Sequence, residues 1–334
     1  MILIVTNKQD VHPTPVIEYL NEQGCPVFRL NTEALLTDYQ FHWWADGKNS
    51  DFYLKNVKNE LEAYGHDIHS VWERRPVLPS ELLLNNQEEI NRHNLKEAAG
   101  FLSFLLHDVS DRFCIGHHLY DRSASSKIRQ LRLAQALGMA VPATCFSNRK
   151  EDVIAFSRSF DYVMLKSIES DQVWLGGEQE YVFFGQRVAS TSLLEQPEEA
   201  FCQSVNFVQE YVEKQYELRV TVVCDQVFAC KIDSQRMEED KGKVDWRQGY
   251  ECGLHYEPYD LLDAIKSFCL KFLQGMHLNF GCFDFIVTPQ DEFVFLECNP
   301  NGQWLWIEEE TGMKISQAIA ESLMRKCEKD GNCK

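Results

Sequence analysis

The stretch Gly281–Trp304, GCFDFIVTPQDEFVFLECNPNGQW, constrains this chain more than any other. Phe283–Val287 and Phe293–Cys298 are aromatic and β-branched runs, and Pro289-Gln290-Asp291 between them carries turn chemistry, so the spacing predicts a β-hairpin. With the turn centred between Gln290 and Asp291, Asp284 faces Glu297 directly, and Asn299 shares the face of Glu297. The other face holds Phe283, Phe285, Val287, Val294, Leu296 and Cys298 and requires a core. Two carboxylates opposed across a hairpin repel. A divalent cation offsets that, and Asp, Glu and Asn are hard-oxygen donors suited to Mg²⁺, an ion that commonly shares its shell with phosphates. The plain alternative is a hairpin whose acids bond to backbone or to an arginine. A slip of one residue would separate the two acids.

At 334 residues the chain is too long for one comfortable core, so two or three subdomains are expected. The net charge of −18 argues against nucleic acid or an anionic membrane surface as the main partner. Twelve cysteines are scattered without a CxxC pair, and Cys224, Cys230, Cys282 and Cys298 sit inside apolar strand patterns. The expectation is a reduced, cytoplasmic protein with neither a disulfide framework nor a zinc site. No run approaches the length of a transmembrane helix.

Along the chain, Ile2–Val5, a helix opening near Pro15 and Val27–Leu30 imply a small α/β lobe that lacks a GxGxxG fingerprint. Ser70–Pro76 brings a strand to an end at Arg74 and Arg75, either an anion clamp or a pair of surface ion pairs. Glu88–His107 is a long amphipathic helix. His117 and His118 are expected to diverge, with no third ligand near in sequence, which gives them a structural role. Asp121–Leu137 begins a new segment in which Ser123, Ser125 and Ser126 offer an N-cap to a helix with Lys127 in its first turn and an apolar face ending at Gly138. The helix dipole disfavours a cation there, so Lys127 is either held for an anionic ligand or simply solvated.

Tyr162–Lys166 is an apolar strand ending in Lys166, whose burial calls for an anion. Asp171–Phe184, with Gly176-Gly177, has the composition of a hairpin lying over phosphates. Phe207–Val212 is a strand with Gln209 and Glu210, and Leu218–Cys224 with Val227–Ile232 forms a second hairpin carrying Glu217, Arg219 and Lys231. With its turn at Asp225-Gln226, Arg219 and Lys231 point to opposite faces, so only one meets a given ligand unless a bulge intervenes. Asp233–Glu257 is a long polar segment, either functional or mobile. The helices Tyr259–Gly275 and Ile315–Lys326 complete the chain before a charged tail.

Strand cations upstream of an acidic hairpin are the parts for binding a triphosphate. Their order resembles the ATP-grasp superfamily over roughly residues 118–325, GCFDF and ECNPNGQW being the most specific pieces. WERRP at 72–76, ELRVTVV and ACKIDSQ look more particularly like the graspetide (microviridin-type) macrocyclases, which join side chains of ribosomal peptides into lactones or lactams. The resemblance implies an α/β (α+β) ATP-grasp fold: an N-terminal lobe at 1–116, a central lobe at 117–190, a C-terminal lobe at 191–328 and a tail at 329–334, with ATP between two antiparallel sheets. It implies Lys127 and Lys166 on the phosphates, Gln209, Glu210, Tyr211 and Val212 at the adenine, and Glu217 at the ribose. Mg²⁺ would lie on Asp284, Glu297 and Asn299. Arg219 and Lys231 would meet the transferring phosphoryl group or the substrate carboxylate, with Arg74 and Arg75 on a peptide carboxylate. The implied partner is a precursor peptide with a leader and a Thr/Glu/Asp-rich core. Its leader would lie on Asp171–Gln186 and Leu193–Phe207, and the enzyme would be a homodimer. The alternatives are an ATP-grasp ligase that adds an amino acid to a peptide or protein, and a non-catalytic peptide-binding protein of the same shape.

Overall fold

The computed structural model describes residues 1–83, 87–169, 172–175, 179–237, 240–249 and 253–325. Asp171, Gly176, Gly177 and Glu178 of the expected phosphate-covering hairpin, and the tail from residue 326, lie outside the described residues. Among the described residues no helix is long and apolar enough to cross a membrane, and the cysteines are free.

The chain opens with a parallel sheet in the order Val27–Asn31, Ile2–Thr6, Ser70–Glu73, Phe113–Ile115. The continuous apolar run at its start is buried on both sides, as a central parallel strand must be. Alternation sends Leu3 and Val5 into one core with Leu102, Leu105 and Leu106 of the Glu88–Asp108 helix. Ile2 and Ile4 enter a second core with Val16 and Leu20 of the Pro13–Glu22 helix. That second core also takes Val223, Phe280, Trp304, Ile315 and Ile319 from the far end of the chain. The first and last lobes are therefore fused through shared apolar burial.

The expected helix with Lys127 in its first turn spans Lys127–Ala136, and a separate short helix, His118–Ala124, precedes it. Ser126 caps the Lys127–Ala136 helix by accepting from the Arg129 N–H. The four-stranded antiparallel sheet that follows runs Gln186–Ala189, Tyr162–Lys166, Asn206–Glu210, Thr144–Ser147. The expected lobe boundary at residue 190 falls inside this unit. The Asn206–Glu210 strand pairs with both Tyr162–Lys166 and Thr144–Ser147, and Val208 shares a core with Val153, Val163, Leu193 and Phe201.

The five-stranded sheet has the order Tyr256–Pro258, Gln226–Ile232, Tyr216–Val223, Phe280–Val287, Phe293–Asn299. The acidic hairpin supplies its last two strands. Its turn spans Thr288–Glu292, closed by Asp291 N–H to Thr288 O at 2.9 Å, with Asp291 at φ +61°. The turn is thus centred on Gln290, half a residue earlier than expected, so that Val287 meets Phe293 and Phe285 meets Phe295. On its own this register would place Leu296 opposite Asp284. A bulge at Leu296 inserts one residue and restores the Asp284–Glu297 pair. The core face is corrected accordingly. Phe293 and Phe295, not Val294 and Leu296, join Phe283, Phe285, Val287 and Cys298. They pack on Phe268 and Phe272 of the Asp263–Met276 helix, with Phe272 5.4 Å from Phe283.

Phe283 is fully buried in this aromatic cluster. Phe283→Ala is expected to lower unfolding free energy by about 3–5 kcal/mol, read by urea denaturation with the m-value unchanged.

Candidate active site

Between the four-stranded and five-stranded sheets lies a cavity of about 670 Å³, the size of a small-molecule site. Strand register orders its contents. On the Tyr216–Val223 strand, Arg219 sits across from Asp284 and Glu217 across from Ile286. On the hairpin, Asn299 of the Cys282–Asn299 rung lies two residues from Glu297 of the Asp284–Glu297 rung, on the same face. The bulged Leu296 lines the cavity beside Ile286. Charge is thus gathered at one end of these strands, and a buried carboxylate with apolar side chains lies two residues along.

At the charged end each acid has its own cation. Arg219 donates from Nη1 to Asp284 Oδ2 at 2.7 Å, and Lys127 donates to Glu297 Oε2. Burial pushes the Asp284 carboxyl above its ordinary range, with Glu297 adding to the effect and Arg219 opposing it. Burial also works against ionised Glu297, but Lys127, and then Lys166, outweigh it and hold that carboxyl below its ordinary range. Burial lowers the Lys166 ammonium. The Arg219 guanidinium is likewise opposed by burial, but Asp284 holds it above its usual value.

The rest of the cavity combines both sheets. Gln209, Glu210, Tyr211 and Val212 line it. The strand ends at Glu210, two residues short of the expected Val212. The Glu210 carboxylate accepts the Ala143 N–H at 3.1 Å, and Arg187 lies 4.5 Å over the Tyr211 ring. Glu217 is buried and bonded to Lys214 and to the Ser234 hydroxyl, with burial raising its carboxyl.

Two expected site residues sit elsewhere. Lys231 pairs across the strands with Leu218, on the helix-facing side of the sheet. Its ammonium bonds Glu257 at 2.8 Å and lies 4.9 Å over the Tyr216 ring. The turn of that hairpin is Cys224-Asp225, one residue earlier than expected. This changes partners by two, leaves the faces unchanged and adds no bulge, so Lys231 stays opposite Arg219's face. Arg74 is 1% exposed. It is held by the Asn301 carbonyl, by Asp10 at 3.4 Å and by the Trp304 ring, and is not in the cavity wall. Arg75 does line the cavity, in a left-handed conformation at φ +51° that bulky residues rarely adopt. His117 and His118 also depart from expectation. Their rings stack at 5.0 Å instead of diverging, and His118 Nδ1 lies 3.0 Å from Glu73 Oε1, away from the cavity.

Sequence reasoning missed one wall. Within the polar segment 233–257, Asp245, Trp246 and Arg247 line the cavity with Trp306. Asp245 accepts the Gly185 N–H at 3.1 Å from the opposing sheet, and Trp246 lies 5.3 Å from Trp306. A Trp-Arg pair in an otherwise polar stretch was the available signal.

The donor set fits a divalent ion that shares its shell with phosphates. Three hard-oxygen ligands share one face of the hairpin, two of them mutually repelling carboxylates, and Lys127, Lys166 and Arg219 line the same cavity. A model of the RimK-like ATP-grasp domain matches residues 124–323, and one of the MvdD pre-ATP grasp domain matches residues 1–121. The chain belongs to the RimK-like ATP-grasp family. No curated protein matches it by sequence. Among solved structures, the ATP-grasp chain is similar to a Chryseobacterium gregarium RiPP-associated ATP-grasp ligase in complex with ADP and a leader and core peptide. They share 28% identity over 96% of each chain, with a TM-score of 0.88. It is also similar to the macrocyclase MdnC of Microcystis aeruginosa MRC bound with precursor peptide MdnA, at 28% identity over 97% of this chain and 99% of that one, TM-score 0.83. The macrocyclase MdnB of the same organism is 26% identical over the same shares, TM-score 0.77. An ATP-grasp ligase takes ATP and Mg²⁺, and the cavity's residues fit both.

Two tests follow from this geometry. Glu297→Gln removes a hard anionic ligand and is expected to abolish Mg²⁺-dependent ATP turnover, whereas Lys231→Ala, outside the cavity, leaves the rate within about twofold; a coupled ADP-release assay reads both. Burial pushes the Glu73 carboxyl up to about 7, whereas in an unfolded chain it titrates near about 4.3. Between those values the folded state holds more protons, so this group makes stability fall as pH rises. Glu73→Gln is expected to flatten the slope of unfolding free energy against pH across that window.

Proposed function

We propose that this chain is an ATP-dependent peptide macrocyclase that joins Asp or Glu side chains of a precursor peptide to Thr, Ser or Lys side chains of the same peptide. The observation that carries the reading is the Asp284–Glu297 rung with Arg219 and Lys127 on either side, in a cavity open to two sheets. The similarity to ligases solved with leader, core or precursor peptides supplies the substrate class.

In this reading Asp284, Glu297 and Asn299 hold Mg²⁺, which neutralises phosphate charge when bound. Lys127 and Lys166 bind the phosphates, so Lys127 exchanges its bond to Glu297 for one to a phosphate oxygen. Glu217, Glu210 and the Tyr211–Val212 backbone orient the nucleoside between Leu296 and Met164. Arg219 faces the transferring group and Arg75 takes the peptide carboxylate; Lys231 and Arg74 have no part in either contact. The peptide carboxylate bonds to the γ-phosphorus as the bridging P–O bond breaks and ADP leaves. The resulting acyl-phosphate is attacked at carbon by a hydroxyl or amine, which loses its proton as phosphate departs. Positioning and charge neutralisation supply the acceleration, and no enzyme nucleophile is required.

In this reading the leader lies along Asp171–Gln186 and Leu193–Phe207, the second of which contains the helix Glu198–Cys202. Exposed Val182, Phe183 and Leu194, and exposed Glu195, Glu198 and Glu199, support a partner that is apolar with basic side chains.

Incubation with ATP, Mg²⁺ and the genomically adjacent small peptide, followed by intact-mass analysis, tests the assignment. Loss of one water per ring is expected. A gain of mass would indicate an amino-acid-adding ligase, and an unchanged mass without ADP release would indicate a binding protein.

A further inference from the structure

We propose that Asn301 is a positioning residue that fixes the Asn299 side chain for metal binding by tying the 299–303 turn to both other lobes. The inference rests on the functional reading above, in which Asn299 is a metal ligand. Four groups converge on this one short turn. The Asn301 N–H donates to Asn299 Oδ1 at 3.0 Å. The Asn301 carbonyl accepts from Arg74, and from Arg75 Nε at 3.2 Å. The Asn301 amide donates from Nδ2 to Asp121 Oδ2 at 2.6 Å. Arg219 Nη2 reaches the Gln303 carbonyl at 3.3 Å.

These contacts come from three separate elements. Arg74 and Arg75 end the first lobe's Ser70–Glu73 strand, and Asp121 lies on the short helix preceding Lys127's helix. The turn sits so close to the sheet that a Cβ on Gly302 would fall 2.4 Å from the Cys282 Cβ and 2.8 Å from Arg219 Nη2. It therefore has no room to relax inward, and the outer contacts set its position. Asp121 is buried, and its other oxygen has no hydrogen-bond partner. Losing the Asn301 amide would remove the side-chain hydrogen bond to this buried group, a strong reason for the pair to stay closed. An amide oxygen has two lone pairs, so Asn299 Oδ1 can accept the Asn301 N–H and still ligate. The backbone bond selects which way the amide points.

Mn²⁺ serves as the probe, titrated into full-length protein with ADP and followed by electron paramagnetic resonance. Asn301→Ala and Asp121→Ala are each expected to weaken Mn²⁺ binding by about 10–100-fold, the usual cost of losing a group that orients a metal ligand. Metal-free ADP affinity should be unchanged. The exchanged pair, Asn301→Asp with Asp121→Asn, restores the amide–carboxylate bond and should recover most of the affinity. Wild-type affinity in Asn301→Ala, or no recovery in a folded exchanged pair by circular dichroism, overturns this inference alone. A wild-type protein that binds no Mn²⁺–ADP overturns the functional reading and this inference with it.

Discussion

The structure turns on an electrostatic conflict that it sets up and then contains. Asp284 and Glu297 face each other on neighbouring strands, where like charges repel. Each is met by a cation brought from elsewhere: Arg219 from the adjacent strand, Lys127 from the first turn of a helix in another lobe. Neither cation is well placed for stability alone. Arg219 is buried, and Lys127 sits where a helix dipole repels it. The arrangement makes physical sense when a metal and phosphates enter between them. In the proposed reading Asp284 and Glu297 would hold the metal and Lys127 would turn to a phosphate oxygen, so these charges would keep counter-charges.

How much of this was legible depended on the period of the strands. The apolar alternation and turn residues of the acidic hairpin revealed both strands and the facing acids. The pairing was right for an incomplete reason, because the turn is centred half a residue earlier and a bulge at Leu296 compensates. A bulge has no sequence signature of its own, and here it also turns Leu296 out of the core and into the cavity. The same alternation already placed Lys231 on the wrong side of its sheet, and the structure leaves it there. The resemblance to a family nonetheless carried Lys231 into the site.

What stayed hidden were arrangements set by tertiary context. Arg74 and Arg75 are neighbours in sequence with equal chemistry. One is enclosed by Asp10, Asn301 and Trp304, and the other reaches the cavity. No local pattern separates them, since the groups that enclose Arg74 come from the two ends of the chain. The wall formed by Asp245, Trp246 and Arg247 was likewise obscured, because a polar segment gives no periodicity to read. The Asn206–Glu210 strand was recognised as a strand, but its sheet depends on partners 40 and more residues upstream.

The shared burial of Ile2, Ile4, Val223, Phe280, Trp304 and Ile319 has a mechanical corollary. The parallel sheet and the five-stranded sheet move as one block, because separating them would expose that common core to water. The four-stranded sheet has a separate core of its own around Val163 and Val208. The segment that leads into it is held to the block, since Ala140 bridges to Val294 and its carbonyl accepts the Phe295 N–H at 2.9 Å. The Asp284–Glu297 hairpin therefore belongs to the fused block and Lys166 to the separately cored sheet, so the cavity's acids and this lysine rest on different packing units.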